Sequence, residues 1–454
     1  MRRLLPILAF LLLCCGCYRQ HDTIQGDLGV HYAGESCTLA DVSIAPGASC
    51  VFEKCHVKVV NPLRLPAGAS ILFMACDVTV AAPIACEPGS VLHFSNSSVV
   101  LRDTVASSGS LVFTDCEIVI AGPASERPKE DAALAMGKEG RLDVKNCRLD
   151  ARKARNTAIS SDGAEVCLTS VASEANVPLI DCRNSRLTMT GCSITGTVTD
   201  GNIVSIKGGE LQLVEVMFEN CSVCPSKPFQ TTLPSGLRHY STDPKYLLVA
   251  DKGVTRVGMV GCTVENCTTA YFDLPLISLV SRDVAVSDCV FRRNTSFPYF
   301  LTESNGTGHA SLRNCSFVNT SGNFVFSCVG DIAEIVGNRV ADCSRPLCGM
   351  LIKAAEVTFT ANSFRDVSCV SIVVLQSPRA FFTGNVFEEC RSAGSSETFC
   401  AFDGEGGFSF TGNRFVSCSG YSLLQIGPDA QSVDVSLANT FDRCEFGQIL
   451  TKRK

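Results

Sequence analysis

Phe408–Cys418 reads FSFTGNRFVSC, and the same sentence recurs upstream. Ala380–Cys390 is AFFTGNVFEEC, Val357–Val367 is VTFTANSFRDV and Ala333–Cys343 is AEIVGNRVADC. Val257–Cys267 is VGMVGCTVENC, Leu211–Cys221 is LQLVEVMFENC, and Leu142–Leu149 keeps a degenerate copy. In every copy one residue follows a small turn; we call it the anchor. Apolar residues stand five and three positions before it and two after it, and a cysteine often stands five after it.

The template fits with anchors at Cys55, Cys76, Ser97, Cys116, Cys147, Val171, Cys192, Val216, Cys262, Cys289, Cys315, Asn338, Asn362, Asn385, Asn413 and Asn439. Most neighbours are 19–28 residues apart, a solenoid period. Apolar residues alternate within a copy, which is strand spacing. The position two after the anchor is apolar throughout except at Ser173. A helical repeat needs two segments of about ten residues or more, and none fits; a leucine-rich lattice is absent; a propeller blade needs about 40 residues or more. The remaining architecture is a coil whose rungs each give two or three short strands to parallel sheets. Parallel crossovers are right-handed, so the coil is too. The expected fold is all-β, a right-handed parallel β-helix of about sixteen rungs, a rod on the order of 75 Å long at about 4.8 Å per rung.

The anchor column supports this. Stacked Asn side chains can bond the Asn above and below, and five consecutive anchors, Asn338, Asn362, Asn385, Asn413 and Asn439, are Asn. In this the chain resembles the right-handed parallel β-helix (pectate-lyase-like) superfamily, whose turns carry such ladders. The resemblance covers nearly the whole chain after its first residues and concerns fold.

MRRLLPILAFLLLCCGCYRQ has a basic pair, a short apolar run and small residues, the pattern of a secretory signal. The expected organisation is a signal at 1–17, an N-terminal segment and cap at 18–36, the coil at 37–450 and a basic tail at 451–454. Gly16–Cys17 also reads as the end of a lipoprotein signal, with Cys17 then carrying lipid. No later run is long enough to span a bilayer as a helix. The expected location is secreted or cell-surface. A net charge of −6 and a pI near 5.6 leave no basic footprint for nucleic acid.

Three of the 27 cysteines lie in the signal. The others point to disulfides in an oxidising compartment, with Cys221, Cys267, Cys390, Cys418 and Cys444 as candidates because they recur at one repeat position. The competing reading is that they are small buried hydrophobes. Cys221-Ser-Val-Cys224 has no second half, so no metal or cofactor is expected. Asn96, Asn220, Asn266, Asn294, Asn305, Asn314 and Asn319 open N-x-Ser/Thr sequons, glycosylation candidates on a eukaryotic secretory route.

Two stretches interrupt the repeat. Gly122–Arg141 is charged and fits a helical turn or two on the flank. Ser222–Tyr246 swells one rung to 46 residues between anchors and holds Lys227, Phe229, Arg238, His239, Tyr240, Lys245 and Tyr246. Solenoid insertions gather on one face, often the binding face; the bland alternative is a tolerated surface loop.

The superfamily includes pectate lyases, pectin methylesterases and polygalacturonases, whose activities rest on short motifs and not on the fold. The polygalacturonase Asn-Thr-Asp, Asp-Asp, Gly-His-Gly and Arg-Ile-Lys elements, the methylesterase elements and the lyase Arg-x-Pro-x-x-Arg do not occur. Gly306-Thr-Gly308-His309 is not Gly-His-Gly. No catalytic residue is therefore assigned. Asn413-Arg-Phe-Val-Ser-Cys418 and Phe218-Glu-Asn-Cys221 are similar to words in the polymorphic outer-membrane-protein repeats of chlamydiae and of trichomonad surface proteins. That resemblance implies adhesins or surface antigens. The expectation is a non-enzymatic binding or adhesion scaffold for a protein or glycan ligand at a cell surface or matrix. The alternatives are a divergent carbohydrate-active enzyme and a disulfide-linked coat component.

Overall fold

Alternation in the sequence becomes alternation of burial. Ser70–Met74 buries Ile71 and Phe73, and Asp77–Val80 buries Val78 and Val80, with the residues between them facing outward. The computed structural model describes residues 21–122, 132–223, 229–232, 238–241, 245–269, 275–302, 308–344, 348–393, 398–404, 406–428 and 435–452. In these the chain is a right-handed parallel β-helix. A rung has three strands, such as Val91–Ser95, Ser98–Leu101 and Val105–Ser107. Each pairs in parallel with its counterpart one rung on: Ser110–Thr114, Glu117–Ile120 and Leu134–Met136. We call the three sheets pre-anchor, post-anchor and third. One helical turn, Val435–Ala438, packs near the final rungs.

The register follows the anchors from first to last. Ser98 opposite Asp77 sets Ser97 against Cys76. Thr263 opposite Met217 sets Cys262 against Val216 across the swollen rung, and Thr440 opposite Arg414 sets Asn439 against Asn413. The anchor turn is left-handed: Lys54, Ala75, Asn96, Asp115, Asn146, Asp288 and Asn314, each directly before an anchor, have φ between 48° and 55°. That conformation costs roughly 1–2 kcal/mol for an L-residue. A ladder bond offsets it, because the Lys54, Ala75 and Asn96 N–H groups donate to Met74, Ser95 and Thr114 carbonyls one rung on, at 2.9 Å each.

Phenylalanines fill the coil in columns. Phe52, Phe73, Phe94 and Phe113 stack with centroids 4.8–5.1 Å apart. Phe364, Phe387 and Phe415 are fully buried and stacked, and Phe441 continues the column partly buried. Ser173, the break in the apolar pattern, is buried and donates to the Ser193 carbonyl at 3.3 Å. The helical turn expected within Gly122–Arg141 is not what its described part forms. Residues 123–131 lie outside the described residues, and Leu134–Met136 is a third-sheet strand held between Val105–Ser107 and Ile159–Asp162.

Candidate functional site

The corners of the coil differ. The anchor turn takes two residues in rung after rung, so the first two sheets stay in strict register. The corners on either side of the third sheet vary in length, and the two longest connections lie at the one leading to it. The connections at that corner include Ile120 to Leu134, Ala151 to Ile159, Val223 to Leu248, Thr269 to Ile277 and the shorter Ser392 to Thr398. The largest contains an antiparallel hairpin, with Phe229 opposite Ser241, Gln230 opposite Tyr240, Thr231 opposite His239 and Thr232 opposite Arg238. Four of the sequence-predicted binding residues, Phe229, Arg238, His239 and Tyr240, therefore hold hairpin positions. Lys227 lies outside the described residues.

Lys245 and Tyr246 bring the insertion back to the coil. The Tyr246 N–H donates to Asn202 Oδ1 at 2.8 Å, and the Ile203 N–H donates to the Tyr246 carbonyl at 3.1 Å. Asn202 belongs to the preceding rung, at the same corner. Beside it is a polar depression of about 190 Å³ lined by Thr157, Pro178, Ile180, Asp181, Asn202, Ser205 and Lys207. Asp181 faces Arg183 at 3.8 Å, and Lys207 faces Asp251 at 4.0 Å. The set offers an amide, hydroxyls, a carboxylate and an ammonium within a few rungs, which suits a polar, hydroxyl-bearing or peptide ligand. None of these depression residues belongs to a sequence motif; they come from several rungs, and only the stacking register joins them.

The outer face of the pre-anchor sheet carries a charged column instead. Arg141, Glu165, Arg186, Glu210, Arg256, Asp283 and His309 follow one another by pairing. Arg141–Glu165 and Arg186–Glu210 are ion pairs at 3.1 and 2.9 Å. The alternating signs neutralise one another along the column, and half-exposed pairs of this kind contribute little stability. At its end the His309 ring nitrogen is 3.5 Å from Glu334, which also pairs with Arg313. Elsewhere Glu265 is buried and clamped by Arg292 and Arg293.

The five ladder asparagines are buried. The N–H groups of Asn338, Asn362, Asn385 and Asn413 donate to the next Asn Oδ1 at 2.9–3.0 Å. Each of these four amides in turn donates to the next Oδ1 at 2.8–3.1 Å. The sequon residues divide. Asn96, Asn220, Asn266, Asn314 and Asn319 are exposed turn residues with positive φ. Asn305 lies outside the described residues. Asn294 is not an acceptable glycan site: it is buried, its Oδ1 accepts the Cys267 N–H and its Nδ2 donates to the Val264 carbonyl, both at 2.9 Å. Cys221, Cys267, Cys390, Cys418 and Cys444 are thiols stacked one rung apart in two groups.

Residues 300–448 match the family described as the right handed beta helix region. No curated protein matches the chain. Among solved structures, the chain is similar to the periplasmic alginate epimerase AlgG at 8% identity, over 81% of this chain and 77% of that one, with a TM-score of 0.28. It is also similar to the Streptococcus pneumoniae surface protein and adhesin PfbA at 10% identity, over 88% and 90%, with a TM-score of 0.26. Scores this low carry no inference about activity. Among the described residues no helix is long and apolar enough to cross a membrane.

Proposed function

We propose that this chain is a secreted or surface-exposed, non-enzymatic binding scaffold. The coil is the rigid support, and the corner bearing the hairpin is the contact edge for a protein or glycan ligand at a cell surface or matrix. One observation carries the reading: the coil holds its anchor turn constant and concentrates its longest insertions at the opposite end of the post-anchor strands. Insertions confined to one edge of a solenoid are the usual source of its binding surface. The test is to incubate the purified protein with pectin, alginate and glycosaminoglycans. Retention of the protein on one of these, or on cells, with the polymer intact is the expected result. New reducing ends or unsaturated products would overturn it.

A second reading, a divergent carbohydrate-active enzyme, is favoured by the His309, Arg313 and Glu334 group on the outer pre-anchor face. A titratable ring beside a carboxylate and a guanidinium is the kind of set that moves protons. The same incubation separates the two readings, because His309→Ala would abolish product formation and leave retention unchanged.

A further inference from the structure

Stacked thiols and inserted loops coincide. Ser222 pairs with Thr268, which sets Cys221 against Cys267 in neighbouring rungs, each five positions after its anchor. The two sulfurs hold equivalent places in their rungs: Cys221 Sγ is 3.4 Å from the Ile194 carbonyl oxygen and Cys267 Sγ is 3.6 Å from that of Phe218, and Ile194 and Phe218 are themselves paired. The connection that contains the hairpin runs between them in sequence. Cys390 and Cys418 stand in the same relation across the connection from Ser392 to Thr398, and the stacked anchors Cys116 and Cys147 flank that from Ile120 to Leu134.

We propose that Cys221 and Cys267 form a disulfide that staples the foot of the hairpin-bearing rung. One S–S bond forms and two S–H bonds break. The two protons and two electrons pass to a low-molecular-weight disulfide such as oxidised glutathione, which becomes two thiols. The geometry suits the bond: neighbouring parallel strands lie about 4.8 Å apart, inside the roughly 4.4–6.8 Å range of Cα separations that a disulfide bridges. The roles are asymmetric. The neighbouring Cys267 holds Cys221 below the usual thiol range, while Cys221 and burial hold Cys267 well above it. Cys221 is thus the attacking thiolate on the external disulfide, and Cys267 resolves the mixed disulfide. Both are buried to about 1% exposure or less, so the bond forms as the rung closes and is then shielded from reductant. The inference stands on rung geometry and does not depend on the binding reading.

The experiment uses the full chain with a specific protease site replacing residues 233–237, between the hairpin strands, refolded with a glutathione couple and then nicked. The two fragments run as one band without reductant and as two with it. Cys221→Ser separates them under both conditions, and Cys224→Ser leaves them joined. Fragments that separate without reductant in the otherwise unsubstituted chain overturn the proposal, as does linkage that survives Cys221→Ser. Should Cys221→Ser fail to fold, alkylation of the denatured, unreduced parent decides: Cys221 and Cys267 both unlabelled is the expected result, and both labelled refutes it.

Discussion

At the scale of single residues, the anchor column shows three side chains doing one job. Ser97 accepts the Cys76 N–H at 3.0 Å, donates to the Ser95 carbonyl at 2.8 Å and lies 3.4 Å from that of Phe73. Cys76 accepts the Cys55 N–H at 3.4 Å and donates to the Phe52 carbonyl at 3.2 Å. Asn338 accepts the Cys315 N–H at 2.8 Å and donates to the Leu312 carbonyl at 3.0 Å. The amide does more than the thiol or hydroxyl, because its second N–H reaches the next Asn. Two substitutions follow. Asn385→Leu removes the acceptor of the Asn362 N–H and amide and the donor to the Phe359 carbonyl. Stranding those buried groups should cost about 1–3 kcal/mol, read as a lower urea midpoint at unchanged slope. Cys315→Asn runs the other way. The thiol donates to the Arg313 carbonyl at 3.3 Å and stands 3.8 Å from that of Val286; an amide in its place reaches the Val286 carbonyl while its other N–H meets Asn338 Oδ1. The ladder grows by one rung, and stability should rise by about 0.5–1.5 kcal/mol. A midpoint that falls would mean the column is too narrow there for the larger side chain.

At the scale of elements, what repeats was legible and what varies was not. The sixteen anchors could be read because the anchor turn has constant length and the strands flanking it alternate strictly; a slip of one residue would have exposed every Phe in a column. The third sheet was harder to place, since the corner before it changes length from rung to rung. Leu134–Met136 sits in a stretch rich in helix formers, and ladder pairing on both sides overrides that propensity. Asn294 looked like an accessible sequon, yet it stands five after Cys289, in the column that Cys221 and Cys267 also occupy. Only that column position signals its burial. The hairpin was visible as an excess of length, and its strands were not, because nothing in the coil repeats them. Replacing Lys227–Lys245 with a short Gly-Ser linker tests its part in binding. The flanking strands Ser222–Val223 and Leu248–Val260 keep their partners, so the circular dichroism spectrum should remain that of the parent. Retention on cells or matrix should fall at least several-fold; full retention by the folded variant would move the contact surface away from the hairpin.

At the scale of the whole molecule, the coil is quasi-one-dimensional. Each rung pairs with the rung before and the rung after, and a single hydrophobic core runs from Cys37 to Val435. Stability in such a chain is approximately a sum over rungs and their interfaces, so a complete rung should be removable where its two neighbours present the same surfaces. The stretch Ser363–Asn385 is such a unit. Asn362 and Asn385 are equivalent anchors, and Phe364 and Phe387 stack with parallel rings 4.9 Å apart. Deleting 363–385 joins Asn362 to Val386, so that Asn362 meets Asn413 as Asn385 did, and Phe387 takes the place of Phe364 over Val340. Every column stays in register. The shortened chain should keep a strand-rich far-ultraviolet spectrum and a cooperative melt, with the midpoint lowered by a few degrees for the lost interface. Deleting 364–385 removes one residue fewer and is the control. It places Phe387 three positions after the anchor, on the outward side of a strand whose neighbours bury Val340 and Phe415, and it should melt well below the first deletion or fail to fold. Equal behaviour of the two deletions would show that the rungs tolerate register slips, and the column-by-column account of this coil would then be wrong.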